Sequence, residues 1–283
     1  MNIKAIILDV DGTLLNDKKV ITPLTKEVLI SAQALGFKLI LASGKPTRGL
    51  SKIAEELAMR DYDGLLVSFN GAKVTNCNNE ILFNQTIDLQ TAKDYLHHLK
   101  QFEVYPLISK GDYMMINDIY SPPISKSLTD SNKFDVMKYE VRSNNYKIVE
   151  YDDLAQALEH QPNKILIAAE PKYLLENLEA IAQPFKDKLS LNLSAPFFFE
   201  ATAKNIDKAK ALETVLHQYN ITAENCIAFG DAENDRSLLE YAHLGIAMGN
   251  AVDSIKAIAD DITTSNNDDG IALALKKHLN ILN

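Results

Sequence analysis

Short apolar runs alternate with amphipathic stretches at both ends of the chain, and that alternation predicts the fold class. Residues 4–9 (KAIILD) read as a buried strand ending at a carboxylate. Thr22-Pro23 supplies a cap and a first-turn proline for a helix running to Leu35, with Gly36 as its stop. Residues 37–42 (FKLILA) predict a second strand, followed by a loop and a helix from Pro46. Residues 64–69 (GLLVSF) predict a third strand. A βαβαβ run of this kind builds a parallel sheet with right-handed crossovers.

The middle of the chain reads differently. Asn70-Gly71 is a turn signal, and short strands at 72–75 and 81–85 predict a hairpin. A helix at 89–102 and strands at 104–108 and 113–116, about Gly111, come next. Residues 118–133 are rich in Ser, Pro and Asn and read as irregular. Helix 151–160, strand 164–169, helix 171–181 and strand 188–194 complete this part. From Phe197 the first pattern resumes, with helices at 207–219, 234–241 and 252–259 and strands at 226–229 and 244–247. The expectation is an α/β protein. A doubly wound, Rossmann-like parallel-sheet core spans residues 1–82 and 191–283, and an α+β domain is inserted at 83–190.

Composition narrows the function. The chain has 283 residues, with 29 Lys+Arg against 38 Asp+Glu, a formal charge of −9. That balance argues against nucleic acid, which wants a basic face. No apolar run approaches the roughly 18 residues of a membrane span. The apolar start is broken at Asp9, so no signal peptide is expected, and cytoplasmic residence is the default. Cys77 and Cys226 form neither a metal pattern nor a disulfide framework. Of the 11 glycines, only Gly111 falls between residues 72 and 229. The tight turns are therefore expected in the core rather than in the insert.

Open α/β sheets bind ligands beyond the carboxyl ends of their strands. Asp9-Val10-Asp11-Gly12-Thr13 follows the first strand and Ser43-Gly44 the second. Gly230-Asp231-Ala232-Glu233-Asn234-Asp235 follows the strand at 226–229. Four aspartates converging on one sheet edge repel one another, so a hard divalent cation is expected among them. Gly12 and Gly44 would let backbone N–H groups approach phosphate oxygens. Lys208, at the start of a helix just after the insert, is the candidate cation for that side.

With these residues in hand, the sequence resembles the haloacid dehalogenase superfamily of phosphatases. DVDGTL at 9–14, Ser43, Lys208 and GDAENDRSLL at 230–239 are similar to its four motifs. Asn70-Gly71-Ala72, the large insert, and the segments at 247–251 and 268–272 resemble its Cof-type branch. The chain departs from the family's habit at several positions. Lys45 stands where Arg is common, Ala209 replaces the usual Gly after the lysine, and Asn205 and Asp207 replace Gly and Ser before it.

The resemblance implies a Mg²⁺-dependent phosphatase that hydrolyses small phosphorylated metabolites through an aspartyl-phosphate. Asp9 would be the nucleophile and Asp11 the general acid and base. Asp9 and Asp231, with the backbone carbonyl of Asp11, would hold the metal. Ser43, Gly44, Lys208 and Asn234 would bind phosphoryl oxygens, and Asp235 would orient the metal shell or Lys208. Asn70 and Lys45 are candidate substrate contacts, as is the 118–133 stretch of the insert, which would act as a cap. A mutase shares the same intermediate. A receiver-like protein uses a similar acidic cluster, but in one short domain without an insert. Asp11 argues against a phosphate-binding protein without turnover, because only catalysis requires an acid there. The identity of the phosphomonoester and the number of associating chains stay open.

Overall fold

The computed structural model describes residues 2–130 and 132–282. The chain divides into two compact units, one formed by Met1–Asn84 with Asp207–Asn283, the other by Gln85–Ile206.

The first unit opens with β1 (Ala5–Leu8), α1 (Pro23–Ala34), β2 (Lys38–Ala42), α2 (Thr47–Glu56) and β3 (Leu65–Ser68). Every residue of β1 and β3 is buried, as a strand covered on both faces requires. Gly36 takes φ +96° after α1, so the predicted stop is made by a left-handed residue. After Asn70-Gly71 come β4 (Lys73–Asn76) and β5 (Ile81–Asn84), which extend the sheet antiparallel from β3.

The second unit contains α3 (Leu89–Leu99), β6 (Tyr105–Lys110), β7 (Tyr113–Ile116), β8 (Ile124–Ser125), β9 (Lys133–Phe134), α4 (Val136–Ser143), β10 (Lys147–Glu150), α5 (Leu154–Ala157), β11 (Lys164–Ala168), α6 (Pro171–Ala182), β12 (Leu189–Ala195) and β13 (Phe198–Ala203). Its sheet runs β10-β7-β6-β11-β13-β12. All neighbours in it are antiparallel except β10 and β7. The strands alternate by twos. Ile165, Ile167, Phe199 and Ala201 pack with residues of α3 and α6, whereas Leu166, Ala168 and Phe198 pack with Val136, Met137 and Val141 of α4.

Three expectations are corrected here. Phe198–Ala203 does not belong to the core: it pairs with β11 and β12, so the second unit reaches Ile206 rather than residue 190. A hairpin delivers β13 directly beside β12, and this inner strand is covered on both faces, which gives it the apolar look of a parallel core strand. The helix predicted at 151–160 shrinks to α5. Asp153 caps it by accepting from the N–H groups of Ala155 and Gln156, and Leu158 already has an extended backbone. Helix α4 and strand β10 occupy residues for which the pattern predicted no element. The 118–133 stretch is mostly irregular, with β8 and β9 as a two-residue pair, and Ser131 within it lies outside the described residues.

The chain returns to the first unit with α7 (Lys208–Leu216), β14 (Cys226–Gly230), α8 (Arg236–Tyr241), β15 (Leu244–Ala247), α9 (Asp253–Lys256), β16 (Asp261–Ile262) and α10 (Gly270–Leu279). The described residues form the sheet order β16-β15-β14-β1-β2-β3-β4-β5, parallel from β16 through β3. Chain order reverses at β1, which lies between β14 and β2. Strand-end loops diverge at such a switch point and leave a crevice for ligand. Among the described residues no helix is long and apolar enough to cross a membrane.

Candidate active site

Asp9 is the first residue beyond β1. Its N–H donates to the Phe229 carbonyl at 3.1 Å, so the ladder between β1 and β14 carries it to the sheet edge. Its carboxylate is buried and accepts from Lys208 Nζ at 2.8 Å. Lys208 is the first residue of α7 and is 1% exposed. Its ammonium also donates to Asp235 Oδ1 at 2.7 Å. The unusual residues before it meet local needs: Asn205 takes the left-handed φ of +58°, and Asp207 caps α7 by accepting from the Lys210 N–H.

Asp235 ties the site together. Its second oxygen accepts from the N–H groups of Asp231 and Ala232, both at 3.1 Å. The loop after β14 is thus folded around this carboxylate, and Asp231 is held where Thr13 Oγ1 donates to its Oδ1 at 2.7 Å. Gly12, at φ +87°, lies directly beneath the Asp231 carboxylate. A Cβ there would collide with both of its oxygens.

Carboxylate oxygens of Asp9, Asp231 and Asp235 lie within 4.8 Å of one another, with one ammonium among them. Burial, and then the neighbouring Asp235, push the Asp9 carboxyl well above its ordinary value against the pull of Lys208. Burial likewise raises Asp231, with Asp235 adding to it and the Thr13 hydroxyl opposing. Burial alone would lower Lys208, but Asp9 and Asp235 outweigh it and raise it. Counted formally, three carboxylates share one buried ammonium. An all-oxygen donor set of this kind suits a hard divalent cation, which would relieve the repulsion.

Asp11 is bound by two other lysines. Its oxygens are bound by Lys45 Nζ at 2.7 Å and Lys19 Nζ at 2.9 Å. Burial would raise its carboxyl, but the two lysines prevail and hold it below the ordinary range. Ser43 is buried beyond β2. Its backbone carbonyl accepts from the Asn70 N–H at 3.0 Å, and its hydroxyl accepts from the Lys45 N–H at 3.2 Å. Gly44 faces the Asn70 side chain. Asn234 Nδ2 donates to Asn70 Oδ1 at 3.3 Å, linking the loops after β3 and β14.

The fold thus brings Asp9, Lys208, Asp231 and Asp235 into direct contact or near it, and Ser43, Gly44, Asn70 and Asn234 into a second string beside them. The Asp11 carboxylate is bound to Lys45 and Lys19 instead. Sequence reasoning did not single out Lys19, nor Thr13 as the partner of Asp231. Thr13 lay within the first motif, whereas Lys19 carried no signal beyond a turn-forming Asn16 three residues earlier. Asp235 appeared as an outer group, yet its oxygens bind the lysine and two backbone N–H groups at once.

The sequence profile of haloacid dehalogenase-like hydrolases matches residues 6–275. The phosphatase YwpJ of Bacillus subtilis (strain 168) is 30% identical, covering 98% of this chain and 99% of its own. The pyridoxal phosphate phosphatase YbhA of Escherichia coli (strain K12) is 27% identical, covering 99% and 100%. The crystal structure of a haloacid dehalogenase-like hydrolase from Bacteroides thetaiotaomicron superposes with a TM-score of 0.88 at 30% identity, covering 97% of this chain and 99% of that one. With the motif residues gathered at one sheet edge and a profile match over nearly its full length, the chain belongs to the haloacid dehalogenase-like hydrolases, as a phosphatase of that family.

Proposed function

We propose that this phosphatase hydrolyses small phosphomonoesters, sugar phosphates or metabolites of similar size, through a covalent aspartyl-phosphate on Asp9. The observation that carries the reading is the buried group of Asp9, Asp231 and Asp235 around Lys208. Such a group combines a nucleophilic carboxylate, a cation for phosphate and an acidic cradle for a metal.

Asp9 attacks phosphorus, which divides one difficult displacement into two easier ones. Asp11 protonates the departing alcohol and then takes a proton from the attacking water. Lys208, Ser43, Gly44 and Asn234 bind the phosphoryl oxygens and hold them in line. Asp235 keeps Lys208 and the backbone of Asp231 in position. Asp9, Asp231 and the carbonyl of Asp11 would hold Mg²⁺, which supplies charge neutralisation at the phosphoryl group when bound. Asn70 and Lys45 are the candidate contacts to the leaving group. The unit over residues 85–206 takes the part of a cap, excluding water and contributing leaving-group contacts. Support for that part comes from its place in the chain, between the second and third motifs.

The test is phosphate release from a panel of phosphomonoesters with Mg²⁺, for the wild type and Asp9→Asn. Release by the wild type is expected. In the variant it should fall by about 10⁴-fold or more, the scale seen when a covalent nucleophile is removed. A variant as fast as the wild type removes Asp9 from its role. A wild type that releases phosphate from none of the esters removes the substrate class.

A further inference from the structure

One short segment, residues 248–252, grips both loops of the acidic site. Asn250 Nδ2 donates to the Gly12 carbonyl in the loop after β1, at 2.8 Å. On either side of it, the Met248 and Val252 N–H groups donate to the carbonyls of Gly230 and Asp231 at the end of β14, both at 3.0 Å. The segment is itself anchored from behind. The Gly249 N–H donates to the Thr264 carbonyl at 3.0 Å, and the backbone at 263–265 approaches so closely that a Cβ on Gly249 would strike it. Asn250 Oδ1 accepts from the Asn266 N–H at 3.0 Å. Asn266 is buried and donates from its own amide to the Leu15 carbonyl at 3.0 Å.

An asparagine suits this position for a definite reason. A backbone carbonyl only accepts and a backbone N–H only donates, so the two partners of Asn250 use both ends of its amide and fix which way it lies. The contact restrains the planar peptide that carries the Gly12 carbonyl and the Thr13 N–H. Gly12 has no Cβ to limit that peptide by itself. The neighbours of the peptide belong to the site: the Asp11 carbonyl on one side is a candidate metal donor, and Thr13 Oγ1 on the other donates to Asp231 Oδ1 at 2.7 Å. We infer that Asn250 is a positioning residue for the divalent cation. By holding the Gly12 carbonyl to the same segment that holds the Asp231 carbonyl, it sets the spacing between the donors of the loop after β1 and the donor of the loop after β14. The inference rests on the Mg²⁺ reading above.

Without the Asn250 amide every donor is still present, but the Gly12–Thr13 peptide is free to turn and the cation must order the loop as it binds. Mg²⁺ requires near-ideal octahedral geometry, with ligands at about 2.0–2.1 Å, and tolerates displaced donors poorly. Loss of a partner that orients metal donors typically costs about 10–100-fold in affinity. A role confined to folding would act differently: it would lower Tm with and without metal, and leave the affinity for Mg²⁺ where it was.

The experiment measures the dissociation constant for Mg²⁺ from the rise of Tm with Mg²⁺ concentration, in full-length protein without substrate. It compares wild type, Asn250→Ala and Asn250→Ser. Asp261→Asn serves as a destabilised control, since it loosens the tie between β16 and α10 and touches none of these loops. In Asn250→Ala the constant should rise by about tenfold or more, while Asp261→Asn keeps the wild-type value. A constant in Asn250→Ala within about threefold of the wild type overturns the inference. So does an equal rise in Asp261→Asn, because general loosening would then explain both. If Asn250→Ala is unfolded in chelator at room temperature, Asn250→Ser, which keeps a small polar group at the position, decides by the same limits. A wild type whose Tm does not respond to Mg²⁺ overturns the metal reading itself, and the inference with it.

Discussion

Lys208 Nζ lies 2.8 Å from Asp9 Oδ1 and 2.7 Å from Asp235 Oδ1, so a single buried ammonium joins the nucleophile to the carboxylate that organises the loop after β14. With Lys208 only 1% exposed, this pairing is structural as well as chemical. Removing one member of a buried charged group leaves the others uncompensated, at a cost of about 3–5 kcal/mol. Lys208→Met should therefore lose stability by about 3 kcal/mol as well as all turnover, measured by urea unfolding at neutral pH. A loss below about 1 kcal/mol would mean that the carboxylates relax into water.

The formal charge excess at Asp9, Asp231 and Asp235 predicts a response to metal. A ligand that binds only the folded state stabilises by about 2.7 kcal/mol at a hundred times its dissociation constant. Mg²⁺ should raise Tm of the wild type, a chelator should abolish phosphate release, and added Mg²⁺ should restore it. Asp231→Asn removes a charged donor from the cradle, so its Tm should shift far less with Mg²⁺. An equal shift in both proteins would place the ion elsewhere.

Gly12 predicts a second kind of sensitivity. At φ +87° any side chain is strained, by about 1–3 kcal/mol. Here the new methyl would also strike the Asp231 carboxylate. Gly12→Ala should lower Tm and displace Asp231, so its activity loss should exceed what its stability loss explains at temperatures where it is fully folded. Full activity below its melting point would show that the loop after β1 yields without moving Asp231.

At the far edge of the sheet, Asp261 Oδ2 lies 2.7 Å from both Lys277 Nζ and His278 Nε2, tying β16 to α10. The lysine and then the histidine hold this carboxyl down at about 2, against about 3.9 for an unfolded aspartate. A carboxyl depressed on folding stabilises above its unfolded value. The contribution is complete above about pH 4 and is lost as pH falls through about 2. Asp261→Asn should lower Tm modestly at pH 7, since the pair is partly solvated. That difference should shrink steadily below pH 4. A difference that persists at pH 2 would assign it to packing.

The acidic site was legible because its loops are local. DVDGT at 9–13 and GDAEND at 230–235 each follow an apolar run, so strand-end position and chemistry could be read together. Helix α1 was legible for a similar reason, since Thr22-Pro23 and Gly36 mark its two ends. Phe198–Ala203 was misplaced because a run of apolar residues records burial on both faces but not the identity of the neighbouring strand. Helix α4 went unread because it buries only Val136, Met137, Glu140 and Val141, too short a stripe to show a period.

Taken alone, the order and periodicity of the chain determined a doubly wound core interrupted by an α+β unit, and placed Asp9, Asp231, Ser43 and Lys208 at its strand and helix ends. These are properties of local segments, where turn chemistry and side-chain period act within a few residues. The tertiary structure decided which charges meet. Asp235 and Lys208 are 27 positions apart, Lys208 and Asp9 are 199 apart, and Lys45 reaches Asp11 from another loop. Ion pairs between such distant positions follow from sheet order and the switch at β1, which emerge only when the whole core packs. For that reason the candidate catalytic residues were visible in the sequence, whereas the lysine that holds Asp11 became visible only in the fold.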